Sequence, residues 1–268
     1  MSWLDAIILG LVEGITEFLP ISSTGHLILT RSLLGLQGDA VDRELIIIQG
    51  AAILAVCWEF RQKLFQTALT LHSDPLARRF VLNLFIASVP LALLGLKFQD
   101  QIKAVLFKPV PVAIALVVGG LIILWAERRQ HAERIQTVDQ VKPVDALKVG
   151  LFQALALIPG TSRSGATIIG GLLSGFSRRS AAEFSFFVAI PLMLSATAYE
   201  IYKARAELTT AEVGPLVLSS VVSFVSALAA TKLLLRYIGR HSFAAFAWYR
   251  IVFGGIILVT AYTGLVRW

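Results

Sequence analysis

The 268-residue chain is poor in charge: 15% of its residues are Asp, Glu, Lys or Arg, against about 25% in an ordinary soluble domain. That shortage leaves too little water-facing surface for a soluble fold. Period-2 alternation of apolar and polar residues is also missing, which excludes a transmembrane β-barrel. The single cysteine, Cys57, allows no disulfide within the chain, and its apolar setting suits a packed thiol. No basic residue precedes Arg31, so the positive start of a cleavable signal is lacking.

What remains is apolar. Hydrophobic residues make up 56% of the chain, and the mean hydropathy is +0.76. Runs at 46–60, 80–96, 110–125, 184–202, 216–235 and 243–265 reach or approach the roughly 20 residues a membrane helix needs. The fold class is therefore an all-α polytopic membrane protein. Trp3, Trp58, Trp125, Trp248 and Trp268 fall at run ends, where interface anchors belong. The formal net charge of +7 sits in short loops, which suits positive-inside loops and lipid headgroups better than nucleic acid.

The chain repeats itself weakly. At an offset of 140, Gly10-Leu-Val-Glu13 falls on Gly150-Leu-Phe-Gln153, and Ser22-Ser23-Thr24-Gly25 on Ser162-Arg163-Ser164-Gly165. Glu44 and Glu183 each open an apolar run, and Gly119-Gly120 matches Gly254-Gly255. One transmembrane domain, 1–268, then holds two halves, roughly 1–127 and 145–268, joined by a charged linker, 128–144. Each half reads as a re-entrant helical hairpin, with two complete but kinked spans as the alternative, followed by about three transmembrane helices. Three is odd, so the halves form an inverted-topology repeat. Arg61, Lys63, Arg78, Arg79, Arg178 and Arg179 mark the richer basic side, which is cytoplasmic by the positive-inside rule. Both termini and the open end of the first hairpin then face outward.

The hairpins carry the polar residues. A first helix stops before Pro20, because proline disfavours a helical predecessor, and Ser22, Ser23 or Thr24 caps the next. In the second half a helix stops at Pro159-Gly160, and Ser162 or Ser164 caps its successor. Irregular backbone at membrane depth is tolerated only beside protein or a watery cavity. Ionisable groups there mark a functional site.

Glu13 and Glu17 share a helix face and repel in low dielectric, so a proton, an arginine or a divalent cation must compensate. Mg²⁺ or Ca²⁺ bridging the two carboxylates and phosphate oxygens would serve. Helix N-termini bind anions, and Arg163 beside the second cap can hold two phosphate oxygens or pair with Glu13 or Glu17. Thr167 either meets the ligand or bonds back to its own helix. Ser22, Ser23 and Thr24 are alternative nucleophiles, ligand donors or caps, and Ser162 and Ser164 are caps or ligand donors. His26 lies one turn from Ser23; burial and the helix start favour its neutral, proton-accepting form. His72, His131 and His241 fall at loops or edges. Gly10-xxx-Gly14 and Gly171-xxx-Gly175 read as close helix contacts. Gln49 could line the cavity, and Tyr249-Arg250 could snorkel or support the site.

Glu13-Gly-Ile-Thr-Glu17-Phe-Leu-Pro-Ile-Ser-Ser23-Thr-Gly-His26 resembles the glutamate-rich signature of the undecaprenyl pyrophosphate phosphatases, the bacitracin-resistance family. Pro159-Gly-Thr-Ser162-Arg163-Ser-Gly-Ala-Thr167 is similar to its second signature, and the likeness extends along the whole chain. Thr161 departs, standing where a bulky apolar or aromatic residue is expected. The resemblance implies an integral plasma-membrane (inner-membrane) phosphatase that converts undecaprenyl diphosphate to undecaprenyl phosphate and so recycles the carrier for peptidoglycan. It also implies a divalent cation and a site open to the outer, periplasmic face. The motif roles fall on Glu13, Glu17, Ser23, His26, Ser162, Arg163 and Thr167. The rival class is a secondary transporter or lipid flippase, which also uses broken helices and midplane carboxylates. Membrane lipids are expected contacts, nucleic acid is not, and a homodimer is left open.

Overall fold

The computed structural model describes residues 2–129, 132–205 and 210–264. His131, Trp268 and the end of the last apolar run, named above, lie outside the described residues. Among those described, eleven α-helices follow one another: α1 (Trp3–Thr16), α2 (Ser23–Leu34), α3 (Asp39–Glu59), α4 (Arg61–Thr70), α5 (Pro75–Leu106), α6 (Pro109–Arg128), α7 (Pro143–Ala154), α8 (Arg163–Leu173), α9 (Arg178–Ala204), α10 (Thr210–Ile238) and α11 (Ala244–Thr263). The chain is all-α and polytopic.

The expected breaks are present. Ser2 and Asp5 cap α1 reciprocally, each accepting the other's backbone N–H, and the helix gives out four residues before Pro20. Ser22 and Ser162 cap α2 and α8 with φ of 72° and 71°, the only non-glycine residues with φ in that range among those described. Each hydroxyl oxygen accepts the N–H of the glycine three residues on, at 3.4 Å for Gly25 and 3.1 Å for Gly165. Such backbone costs on the order of 1–3 kcal/mol per residue and persists only where the surroundings enforce it. The two caps are one device used twice.

Among the described residues, five helices are long and apolar enough to cross a membrane: residues 75–98 of α5, α6, α9, 212–238 of α10, and α11. The expected sixth, α3, has 21 residues, but Asp42, Arg43 and Glu44 in its opening turns shorten the apolar run. The outer faces are apolar, with Leu4, Leu93, Val118, Val217 and Val252 all exposed, while Glu13, Gln153 and Arg250 are wholly buried.

Small residues let the helices close up, as in membranes generally. α1 packs on α10 and α7 on α5, while α6 pairs with α11 and α3 with both α9 and α10. A Cβ at Gly10 would lie 2.5 Å from the Ser219 carbonyl, and one at Gly14 would lie 2.1 Å from Ser226 Oγ. Gly175 behaves otherwise than expected: with φ 85° it ends the turn after α8 rather than admitting a helix. Phe18 meets Phe186 edge-on at 5.5 Å, and Phe187 contacts Phe60 and Phe80, filling the core beneath the site.

The segment after α6 is docked. Ile135, Val138 and Val141 are buried, Arg134 pairs with Asp145 at 2.5 Å, and Lys63 pairs with Asp139 at 2.6 Å. Glu127 takes Arg178 at 2.6 Å and the Phe243 N–H at 2.8 Å.

Candidate active site

The two breaks face each other. The Ser164 hydroxyl donates to the Leu19 carbonyl at 2.8 Å, tying the loops together across 145 residues of sequence. Between them lies a cavity of about 540 Å³ whose lining includes Glu17, Ser22, Ser23, Thr24, Gln49, Gly160, Ser162 and Arg163. The rest of its lining is largely apolar: Leu91, Leu96, Leu157, Leu192, Met193 and their neighbours on α5, α9 and the turn before Pro159.

Glu17 is the hub. Its Oε2 accepts the Ser23 hydroxyl at 2.5 Å, and its Oε1 accepts Arg163 Nη2 at 3.1 Å. Arg163 Nη1 donates to the Ser185 carbonyl at 3.2 Å. Acid, hydroxyl and guanidinium from the two halves are therefore in one buried network, with Glu17 and Arg163 side chains 9% and 13% exposed. The carboxylate is positioned to receive the Ser23 proton, and the guanidinium lies beside it to meet an anion.

The other expected residues stand behind the cavity. Glu13 is wholly buried, and neither of its carboxyl oxygens has a hydrogen-bond partner. An isolated buried carboxylate charge is prohibitively costly, so a proton or cation is required. Glu13, Glu17 and the Ser23 hydroxyl offer the hard oxygen donors that Mg²⁺ and Ca²⁺ take. No cluster of three or more His, Cys, Asp and Glu occurs among the described residues, so such an ion would draw its other ligands from water or a bound phosphate. The residues fit a cation of this kind.

His26 does not reach Ser23. Its Nδ1 bonds the Ser22 carbonyl at 2.7 Å, and its Nε2 bonds the Tyr249 hydroxyl at 2.7 Å. A carbonyl only accepts, so Nδ1 carries hydrogen and a neutral ring accepts from Tyr249 at Nε2. Phe253 stacks on the ring at 4.2 Å between centroids. Thr167 bonds back to the Arg163 carbonyl at 2.8 Å and meets Ser185 Oγ at 2.6 Å, fixing α8 to α9 rather than lining the cavity. Ser164 likewise serves the loop contact. Ser185 and Tyr249 escaped the sequence reading as partners, because they lie on other helices and carry no local pattern. Arg250 was flagged, but its direction was open; the structure buries it completely.

Fold and site together define a class: a multi-pass α-helical membrane protein with an acid–hydroxyl–guanidinium network where two broken helices meet. The family model described as "Bacitracin resistance protein BacA" matches residues 6–256, and the chain belongs to that family. It is 59% identical over 266 residues to a protein of Rhodospirillum rubrum named undecaprenyl-diphosphatase 2, covering 99% of this chain and 97% of that one. Proteins named undecaprenyl-diphosphatase are 57% identical in Nitrosomonas europaea, over 100% of this chain and 99% of that one, and 56% identical in Dechloromonas aromatica, over 99% and 97%.

Proposed function

We propose that the chain is an integral membrane phosphatase that hydrolyses undecaprenyl diphosphate to undecaprenyl phosphate and inorganic phosphate. This would recycle the lipid carrier of peptidoglycan synthesis and confer bacitracin resistance. One observation carries the reading: a serine hydroxyl already bonded to a carboxylate, with an arginine on the same carboxylate, in a cavity whose remaining lining is largely apolar. A lipid diphosphate has both parts, a charged head and a hydrocarbon tail.

Phosphoryl transfer asks mainly for positioning and charge neutralisation. Ser23 Oγ attacks the terminal phosphorus as its proton passes to Glu17, and the bond to the bridging oxygen breaks, releasing undecaprenyl phosphate. Water then attacks the phosphoserine, phosphate leaves, and Ser23 Oγ recovers a proton from Glu17. Arg163 and the N–H groups of α2 and α8 stabilise charge on the transferring group. Direct attack by water positioned on Glu17 uses the same groups; attack by His26 would first require releasing Tyr249. Glu13 and Glu17 would hold a divalent cation, which when bound supplies charge neutralisation at the diphosphate.

The protein belongs in the bacterial inner membrane, its halves inverted, with the cavity open to the periplasmic face. The test is phosphate release from undecaprenyl diphosphate by purified protein in detergent, where no compartments exist to transport between. Release that falls on chelation and returns with Mg²⁺ or Ca²⁺ supports enzyme and cation together. Folded protein that binds the lipid without releasing phosphate would favour a transporter or flippase.

A further inference from the structure

We infer that Arg250 is a positioning residue that clasps the two chain breaks into a single site. It projects from α11 and is 0% exposed. Nη1 donates to the carbonyls of Pro20 at 3.3 Å and Thr161 at 2.9 Å, and Nη2 to those of Gly160 at 3.1 Å and Ala115 at 3.2 Å. Nε donates to the Leu116 carbonyl at 3.2 Å. A guanidinium has five N–H donors, and here all five are spent on neutral backbone. A buried arginine normally seeks a carboxylate; this one serves geometry instead.

The carbonyls it holds are the breaks themselves. Pro20 lies two residues before the Ser22 cap, and Gly160 and Thr161 immediately precede the Ser162 cap. Both caps hold the strained φ described above, and Ser22, Ser23, Gly160 and Ser162 line the cavity. One planar group thus spans both loops and α6, setting how far apart the two helix N-termini stand.

The surrounding sequence makes room for it. A Cβ at Gly119 would lie 2.0 Å from Arg250 Nη2, and one at Gly165 would lie 2.9 Å from Nη1. A Cβ at Gly255, by contrast, would meet nothing within 4 Å. Gly119 of α6 is therefore a socket for the guanidinium, while Gly120 beside it admits α11 itself: a Cβ there would lie 2.7 Å from the Ala247 carbonyl.

The inference rests on the phosphatase reading, and displacement of reacting groups by about 1 Å costs about 100-fold in rate. The variants are Arg250→Lys, Arg250→Gln and Gly119→Ala, with Gly255→Ala as control. Each is purified in detergent and measured for melting temperature, kcat and KM on undecaprenyl diphosphate, and inorganic pyrophosphate binding by calorimetry. We expect the first three to fold, to lose about 10- to 100-fold in kcat with KM little changed, and to bind pyrophosphate more weakly. Gly255→Ala should match the wild type. Lysine keeps the charge but has three donors, so full rescue by Arg250→Lys would overturn positioning in favour of charge alone. Wild-type kcat in folded Gly119→Ala or Arg250→Gln would overturn it too. So would failure of all three variants to fold, which would leave Arg250 a folding residue only. Wild-type protein that binds pyrophosphate yet releases no phosphate would sink the phosphatase reading; the clasp is then supported by weaker pyrophosphate binding in the variants and refuted by unchanged binding.

Discussion

Glu17 concentrates the chemistry because its two oxygens do different things: one holds the Ser23 proton donor, the other the Arg163 cation. Glu17→Gln preserves the shape and removes both the base and the charge. Its kcat should fall by about 10²- to 10⁴-fold, the usual worth of a general base, with insertion intact; phosphate release and gel-filtration profile measured together check this. The residues of this network were legible because each is polar where the surrounding run is apolar, and lipid makes such residues expensive. Arg250 and Tyr249 were visible by the same logic, but a linear pattern does not say which way a side chain on α11 points. Tyr249 meets His26 across 223 residues of sequence, and nothing local encodes that pairing. The Thr161 departure touches nothing essential, since Arg250 uses its carbonyl alone.

Among elements, the breaks read most clearly. Proline stops the incoming helix and a serine caps the outgoing one, and these signals act within a few residues. The seam between α1 and α10 follows from small residues. In Gly14→Val the new Cβ would lie 2.1 Å from Ser226 Oγ and 2.4 Å from the Ser223 carbonyl. Backbone cannot rotate away as a side chain can, so α1 must move. Overpacking of this kind costs about 1–3 kcal/mol, and a clear drop in melting temperature is expected by differential scanning fluorimetry in detergent; an unchanged melt would contradict the close seam. Two elements were not legible. α4 is short, and its residues 61–70 look like a basic loop. The segment 132–142 has a linker's composition, yet three apolar side chains dock it, and three isolated anchors make no periodic signal.

At the scale of the molecule, the site lies among α1, α2, α3, α5, α8 and α9, while the ion pairs of Glu127, Lys63 and Arg134 involve residues that are not in the cavity lining. Stability and catalysis should therefore separate. Glu127→Ala removes the partner of Arg178 and the acceptor of the Phe243 N–H; it should lower the melting temperature and leave the kcat of the remaining folded protein unchanged, and a parallel fall in kcat would tie that region to the site. The proposed orientation of the first half has its own test. In a Cys57→Ala background, Gln37→Cys should react with an impermeant maleimide added to the periplasmic side, and Ser73→Cys only after access to the cytoplasm. Labelling of Ser73→Cys but not Gln37→Cys from the periplasmic side would reverse the orientation, and labelling of both from that side would contradict a crossing between them.

The proposed function requires that two distant breaks build one phosphoryl-transfer site. Release of inorganic phosphate from undecaprenyl diphosphate in detergent, by the wild type and by Arg163→Ala at equal folded concentration, tests it most directly. The wild type should yield one phosphate per undecaprenyl phosphate formed, and the variant none above background. Undiminished release from Arg163→Ala, or none from the folded wild type, would contradict the claim.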